Sequence, residues 1–437
     1  MNYFRLYSGN TYANDIRAPP EGALMRPSIS RAIPILMGVT LAPFGVVTPS
    51  AVAQGAPPGP DLLGVSQSPN APAGPVAGAP SAEAGGTPHP PSLALVVNVP
   101  SCSESDLQSA IGAVAAVGGT VNLKAGCTYT LTDATPPNDD NGLPVITNNV
   151  TINGNGDTIT RAATAANFRF FEINGPHGNL TLNILTLSNG HASGGLGNGR
   201  GGAIWLAGPG SAVTLNSSRL TGNTADTFGG AIDNDNGAVS VNTSTLSGNR
   251  ANNAGGGVFV SPFGGSGTAA FNASRITGNH ATVLGGGIAA AVGTTVTVNV
   301  TPVTGNDVTG TTPQGGGIAV AGTMTVNASG VTGNTTTGTN AQGGGIFNTV
   351  GTVRITSSPV NGNTVNGTNS RGGGIFNTAS GRVVLTSSQV TGNRALGTGA
   401  AGGGVFNASG TVTLIASRIT GNQPDNCGSP STVPGCS

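Results

Sequence analysis

The sequence predicts an all-β chain wound into a parallel β-helix solenoid of about eleven coils, with a short capping helix before it. Three observations predict this. The motif Gly-Gly-Gly/Ala-Ile/Val recurs, with its fourth residue at Ile204, Ile232, Val258, Ile288, Ile318, Ile346, Ile375 and Val405, in steps of 28, 26, 30, 30, 28, 29 and 30. A period near 29 is the signature of a solenoid. Each motif is followed by an alternating segment, such as Val213-Thr214-Leu215, Val239-Ser240-Val241 or Val412-Thr413-Leu414. Alternation of period two sends one side chain inward and the next outward, as in a strand. Composition agrees: 74 of 437 residues are Gly and only 7% are charged, against roughly 7% and 25% in ordinary domains. Leucine-rich and helical repeats need Leu-rich or helix-forming units, which are absent. Three short strands per unit, with each coil about 4.8 Å above the last, make a rod of roughly 50 Å.

The balance of charge excludes one class of partner. Sixteen basic and sixteen acidic side chains cancel, so the chain lacks the basic face of a nucleic-acid binder. The 37% of hydrophobic residues is too regularly spaced for wholesale disorder.

Along the chain, residues 1–24 show no periodicity and read as an overrun of the true start at Met25. Residues 25–53 have the order of a secretory signal peptide: Arg26 and Arg31, an apolar stretch Ala32–Val47, then Ala51-Val52-Ala53 before Gln54. The alternative is a transmembrane anchor, for which the run is short and is broken by Pro34 and Pro43. No later apolar run approaches eighteen residues, so no transmembrane segment is expected in the mature chain. Residues 54–97, rich in Pro, Ala and Gly, read as a linker, either a spacer through a cell envelope or unstructured processing debris.

Residues 98–120 form the expected N-terminal cap. Ser103 and Asp106 fit a capping box, and Leu107, Ile111 and Val114 share a helical face that ends at Gly118-Gly119. Residues 121–426 are the β-helix, with looser units at Val121–Leu131, Val145–Ile159 and Phe170–Leu187. In each later coil a Thr/Ser/Asn-Gly-Asn motif follows, with its Asn at Asn223, Asn249, Asn279, Asn306, Asn334, Asn363, Asn393 and Asn422. One turn repeated in every coil stacks like on like, so these amides are expected to form a structural ladder. The Gly before each Asn supplies a backbone conformation closed to other residues. Residues 427–437 form the C-terminal cap. Four cysteines allow three pairings. The local one, Cys102 with Cys127 and Cys427 with Cys436, joins partners close in sequence. A zinc site is disfavoured by the spacing and by the lack of a nearby His.

From Val99 onward, about three quarters of the chain resembles the right-handed parallel β-helix proteins of the pectate-lyase-like superfamily. More narrowly, it resembles secreted β-helix repeat proteins of high-GC bacteria. The resemblance is carried by Cys102-Ser-Glu-Ser-Asp-Leu107, Gly118-Gly-Thr-Val-Asn-Leu123, Gly126-Cys-Thr-Tyr-Thr-Leu131, Gly-Gly-Gly-Ile-Phe-Asn at 343–348 and 372–377, and Pro424-Asp-Asn-Cys427. Gly-Gly-Ala-Ile at 201–204 and 229–232 is similar to the repeat of polymorphic outer-membrane adhesins. The resemblance implies right-handed coiling and an extracellular or envelope location. It does not imply an activity, because the fold hosts lyases, hydrolases, adhesins and scaffolds.

Acids are the scarce resource for chemistry. From Val241 to Pro424 the only one is Asp307, so a carboxylate pair of the hydrolase kind must lie in the earlier coils. Asp233 and Asp235 are the catalytic candidates, two apart in a strand and outward if Ile232 points in. Aligned coils place Trp205 below Asp233 and Phe259 above it, with Arg200 and Arg250 as neighbours. Together Trp205, Asp233, Asp235 and Phe259 read as a sugar-binding platform, or as an exposed stacking ladder that continues in Phe347, Phe376 and Phe406. Asp139 and Asp140 read as a calcium site or as ordinary turn formers. No cofactor is expected other than calcium at that loop. His191, His280 and Lys124 read as solvated surface residues. The expected function is a secreted, non-catalytic protein that offers a polar face to an extracellular polysaccharide or a cell-surface protein. The alternative is a polysaccharide lyase or glycoside hydrolase.

Overall fold

The computed structural model describes residues 95–134, 140–195, 198–262, 266–378, 380–428 and 433–436. The expected overrun and signal peptide, and all but the end of the linker, lie outside the described residues. Within them the chain is a parallel β-solenoid. The first described strand, Val96–Asn98, takes in the last two residues of the expected linker and opens a sheet by pairing with Gly119–Asn122.

Each full coil has four sides, one more than expected. Sheet 1 holds nine strands, from Phe171–Ile173 to Val405–Asn407, and contains the end of the Gly-Gly-Gly-Ile motif. Sheet 2 holds twelve, from Val96–Asn98 to Thr411–Ile415. Sheet 3 holds eleven, from Thr128–Leu131 to Arg418–Thr420. Sheet 4 holds eight, from His191–Ala192 to Arg394–Leu396. Its strands are two or three residues long, too short for alternation to show in the sequence.

Register is strict. Ile204 pairs with Ile232, and Ile232 with Val258. In the looser early coils, Val121 pairs with Ile152 and Ile152 with Leu182. The inward columns, such as Ile204, Ile232, Val258, Ile288 and Ile318, are wholly buried. Full burial contributes about 1.5–3 kcal/mol per side chain of this size.

Two corners explain the glycines: at one, the Gly before each ladder Asn, from Gly222 to Gly421, has φ between 62° and 66°, and the Gly triplet makes the other. The first Gly of each triplet, from Gly201 to Gly402, has φ between 59° and 70°. The second sits where a Cβ would overlap the backbone of the next coil, as at Gly230 against Gly256. In contrast, the corner from sheet 2 to sheet 3 also needs positive φ but uses ordinary residues: Ile184, Ser217, Thr243, Ala273, Val300, Ala328, Ser357, Ser387 and Ala416, at 47–51°.

The expected asparagines stack as a buried ladder. Nδ2 of Asn223 donates to Oδ1 of Asn249 at 3.0 Å, and the same bond runs unbroken to Asn422 through Asn279, Asn306, Asn334, Asn363 and Asn393 at 2.9–3.0 Å. Each Nδ2 also donates to a sheet 3 carbonyl, and each Oδ1 also accepts a backbone N–H, so Asn306 fills four bonds.

The helix, Glu104–Ala115, buries Leu107, Ala110, Ile111 and Val114 over the first coils. Ser103 caps it by accepting from Asp106 N at 3.2 Å. The reciprocal half of the capping box is replaced: the Asp106 carboxylate accepts from the Ser101 hydroxyl at 2.5 Å. Disulfides join Cys102 to Cys127 and Cys427 to Cys436. At the C-terminal end, Val433 is 7% exposed and packs with Cys427 and Cys436 against the core. No described helix is long and apolar enough to cross a membrane.

Candidate functional site

Register brings the predicted platform together. Trp205 pairs with Asp233, and Asp233 with Phe259. Ile232 points into the core, so the two carboxylates lie on the outer face of sheet 1. That face, however, is covered. The residue before each glycine triplet forms its own row of single bridges, Arg200 to Phe228, Ala254, Leu284, Gln314, Gln342, Arg371 and Ala401. The left-handed first glycine reverses the chain and folds this row over sheet 1. Asp233 is therefore 0% exposed, Asp235 5% and Phe259 5%, and the expected exposure is corrected. In later coils the sheet 1 side of the seam is aromatic: Phe347, Phe376 and Phe406 stack at 5.4–5.6 Å between centroids, and Arg371 of the covering row lies 4.8 Å over the Phe406 ring.

In the early coils the seam is ionic. Arg200 Nε donates to Asp233 Oδ2 at 2.8 Å, and Nη2 to Asp235 Oδ1 at 2.8 Å. Arg200 Nη1 also pairs with Asp235 Oδ2. Asp235 accepts further from Ser261 Oγ at 2.6 Å and Trp205 Nε1 at 3.2 Å. Arg169 lies over the Trp205 ring at 4.9 Å and donates to Arg200 O at 3.0 Å and Asn141 Oδ1 at 2.6 Å. Oδ1 of Asp233 is buried with no hydrogen-bond partner. Burial pushes the Asp233 carboxyl up to about 7 in spite of Arg200, and the neighbouring Asp235 charge adds to the rise. Burial alone would lower Arg200, but Asp233 and Asp235 together raise it. Arg250 is not part of this cluster. It is exposed on sheet 4, in register with His280.

The histidines gain acids from the next coil. His191 Nε2 lies 3.1 Å from Asp226 Oδ1, and His280 Nδ1 lies 2.7 Å from Asp307 Oδ2. His280 is in register with Asp307, so a one-coil offset in the sequence was the signal for that pair; His191 is in register with Thr224, and Asp226 lies two residues further on. Asp139 lies outside the described residues. Asp140 is half-buried, and its carbonyl accepts from Arg169 N at 2.8 Å. Among the described residues no three His, Cys, Asp or Glu side chains converge as a metal site would need. Lys124 is exposed.

The open polar surface is the outer face of sheet 2. Its last outward position carries a second asparagine ladder, one with no repeated motif around it in the sequence. Asn122 Nδ2 donates to Asn98 Oδ1 at 2.9 Å, and the pattern continues through Asn153, Asn183, Asn216, Asn242, Asn272 and Asn299 at 2.8–3.2 Å. Beside it, Ala212, Thr214, Ala238, Ser240, Ala270 and Thr297 line a trough of about 330 Å³. The small side chains at Ala212, Ala238 and Ala270 lower the surface there. No described strand of sheet 2 carries Asp or Glu. The outward side chains of the face can donate and accept hydrogen bonds along its length.

No family model matches the chain, and no curated protein does. Solved structures similar to the chain include the following two. The A-module of mannuronan C-5 epimerase AlgE6 of Azotobacter vinelandii has 16% identity and a TM-score of 0.42, covering 78% of this chain and 97% of its own. Tailspike protein 3 of bacteriophage CBA120 has 10% identity and a TM-score of 0.36, covering 76% of this chain and 59% of its own.

Proposed function

We propose that this is an extracellular, non-catalytic protein that holds a polysaccharide along the outer face of sheet 2. The observation that carries the reading is the trough of small residues, flanked by stacked hydroxyls and by a hydrogen-bonded amide ladder. Sugar hydroxyls need donors and acceptors in a fixed array, and a rigid array reduces the ordering cost of binding. Two disulfides support an oxidising, extracellular compartment. The carboxylates best placed for acid–base work are closed inside the seam with Arg200, which supports binding over catalysis.

The test is retention of the purified chain on immobilised pectate, alginate, glycosaminoglycans and plant cell-wall glycans. Ala238→Trp and Ala270→Arg fill the trough from positions that tolerate bulk outward. Each is expected to weaken binding at least about tenfold, or about 1.4 kcal/mol, with unchanged circular dichroism. Retention that ignores both variants removes the trough from the account. The same panel is assayed for unsaturated products and new reducing ends, with and without calcium. Product that disappears in Asp233→Ala would make the protein a lyase or hydrolase instead.

A further inference from the structure

Charge is segregated along the rod. Residues 95–241 hold ten acids and five bases, whereas residues 242–437 hold seven arginines and two acids. Formal charge is thus five negative toward the N-terminal end and five positive toward the C-terminal end, although the chain as a whole is neutral. Between residues 308 and 424 there are five arginines and no acid. A solenoid turns position in sequence into height along the rod, so this becomes a separation of charge in space.

Both ends of sheet 2 are also unfinished. Val96–Asn98 and Thr411–Ile415 are its terminal strands, each paired on one side only among the described residues. The helix covers the core at the first end but leaves Leu95 at 43%, Val96 at 55% and Val117 at 67% exposure. The disulfide-closed loop covers the core at the other end but leaves Ile415 at 50%. Among the described residues, four of the nine large, exposed hydrophobic side chains therefore lie at the ends. An unpaired strand edge is a template for another chain.

We propose that the rod stacks head to tail on a second copy of itself. The basic end of one copy meets the acidic end of the next, and Thr411–Ile415 pairs in parallel with the partner's Val96–Asn98. The contact continues the pairing already made eleven times within sheet 2 and covers the exposed apolar side chains. It is heterologous, so it propagates into a filament unless the ends close into a ring. The inference is independent of the polysaccharide reading.

The experiment is light scattering on the purified full chain across concentration and salt. At low ionic strength the average mass is expected to rise from one chain to two or more between about 1 and 100 μM. It should fall back at about 1 M salt, where charges beyond about 3 Å are screened. Ile415→Glu puts an acid on the basic end, and Leu95→Arg puts a base on the acidic end. Both sites are surface-exposed, and each variant is expected to raise the concentration for half-association at least tenfold while keeping its circular dichroism. A folded monomer under every condition overturns the proposal, whether the first edge is then bare or covered by the chain's own preceding residues. Association that neither variant alters also overturns it, because the contact would then lie along the sides.

Discussion

Asn306 shows how much one residue can hold in a stacked fold. It is 0% exposed and links the coils on either side through its amide, while its Oδ1 accepts two bonds from Asn279. Asn306→Ala strips Asn279 of an acceptor for both its backbone N–H and its Nδ2. Leaving buried donors unpaired costs roughly 1–3 kcal/mol each, so a loss of about 3 kcal/mol or more in urea unfolding is expected. Asp233 is the opposite case, a residue whose charge is unwelcome. Its carboxyl is raised from the ordinary range near 3.8 to about 7 by burial. The folded state therefore holds the proton more tightly than the unfolded chain. Its contribution to stability is complete below about pH 4 and is lost as pH rises through about 7. Asp233→Asn should flatten this fall, so that the variant gains on the parent between about pH 4 and pH 7 and no further above that. Parallel pH profiles for the two proteins would show that Asp233 stays ionised throughout.

At the scale of the element, the corner between sheets 2 and 3 is where the chain departs from its own preferences. Glycine serves at the other two positive-φ corners, but here Val300 and Ile184 take φ of 48° and 51°. A β-branched side chain resists that region, at about 1–2 kcal/mol relative to right-handed backbone. Val300 is 60% exposed, so little packing is lost by changing it. Val300→Asn is expected to raise stability by about 1 kcal/mol, read as a higher melting temperature, because Asn tolerates this conformation. The corner persists because each coil's backbone bonds to the next: Val300 N donates to Asn327 O at 3.0 Å. This corner was not legible in the sequence. Three of the four strands of each coil, their register from Ile204 onward and the inner ladder were, because each repeats one residue type at one period; the short strands of sheet 4 and the register of 121–190 were not. The covering row over sheet 1 was not, since Arg200, Phe228, Ala254, Leu284 and Gln314 share no type. The outer Asn ladder was hidden for another reason: Asn183 or Asn242 in an alternating strand looks like any outward polar residue.

The solenoid of the described residues is nearly one-dimensional, and each coil touches mainly its two neighbours, so stability sums over interfaces. That gives its few irregular residues a second consequence. Translation by one coil maps inner asparagines onto asparagines and core valines onto valines, so a folding chain that skipped a coil would satisfy most of the same bonds. Repetition stabilises every register almost equally and identifies none. What identifies one is the part that does not repeat: Arg200 finds Asp233 and Asp235 in a single alignment, Trp205 reaches only Asp235, and His280 meets its acid only at Asp307. A buried charge left without its partner is costly, so each mismatched stacking carries a penalty that the matched one lacks. The ionic seam thus works as an address written into an otherwise uniform lattice, telling each early coil which neighbour is its own.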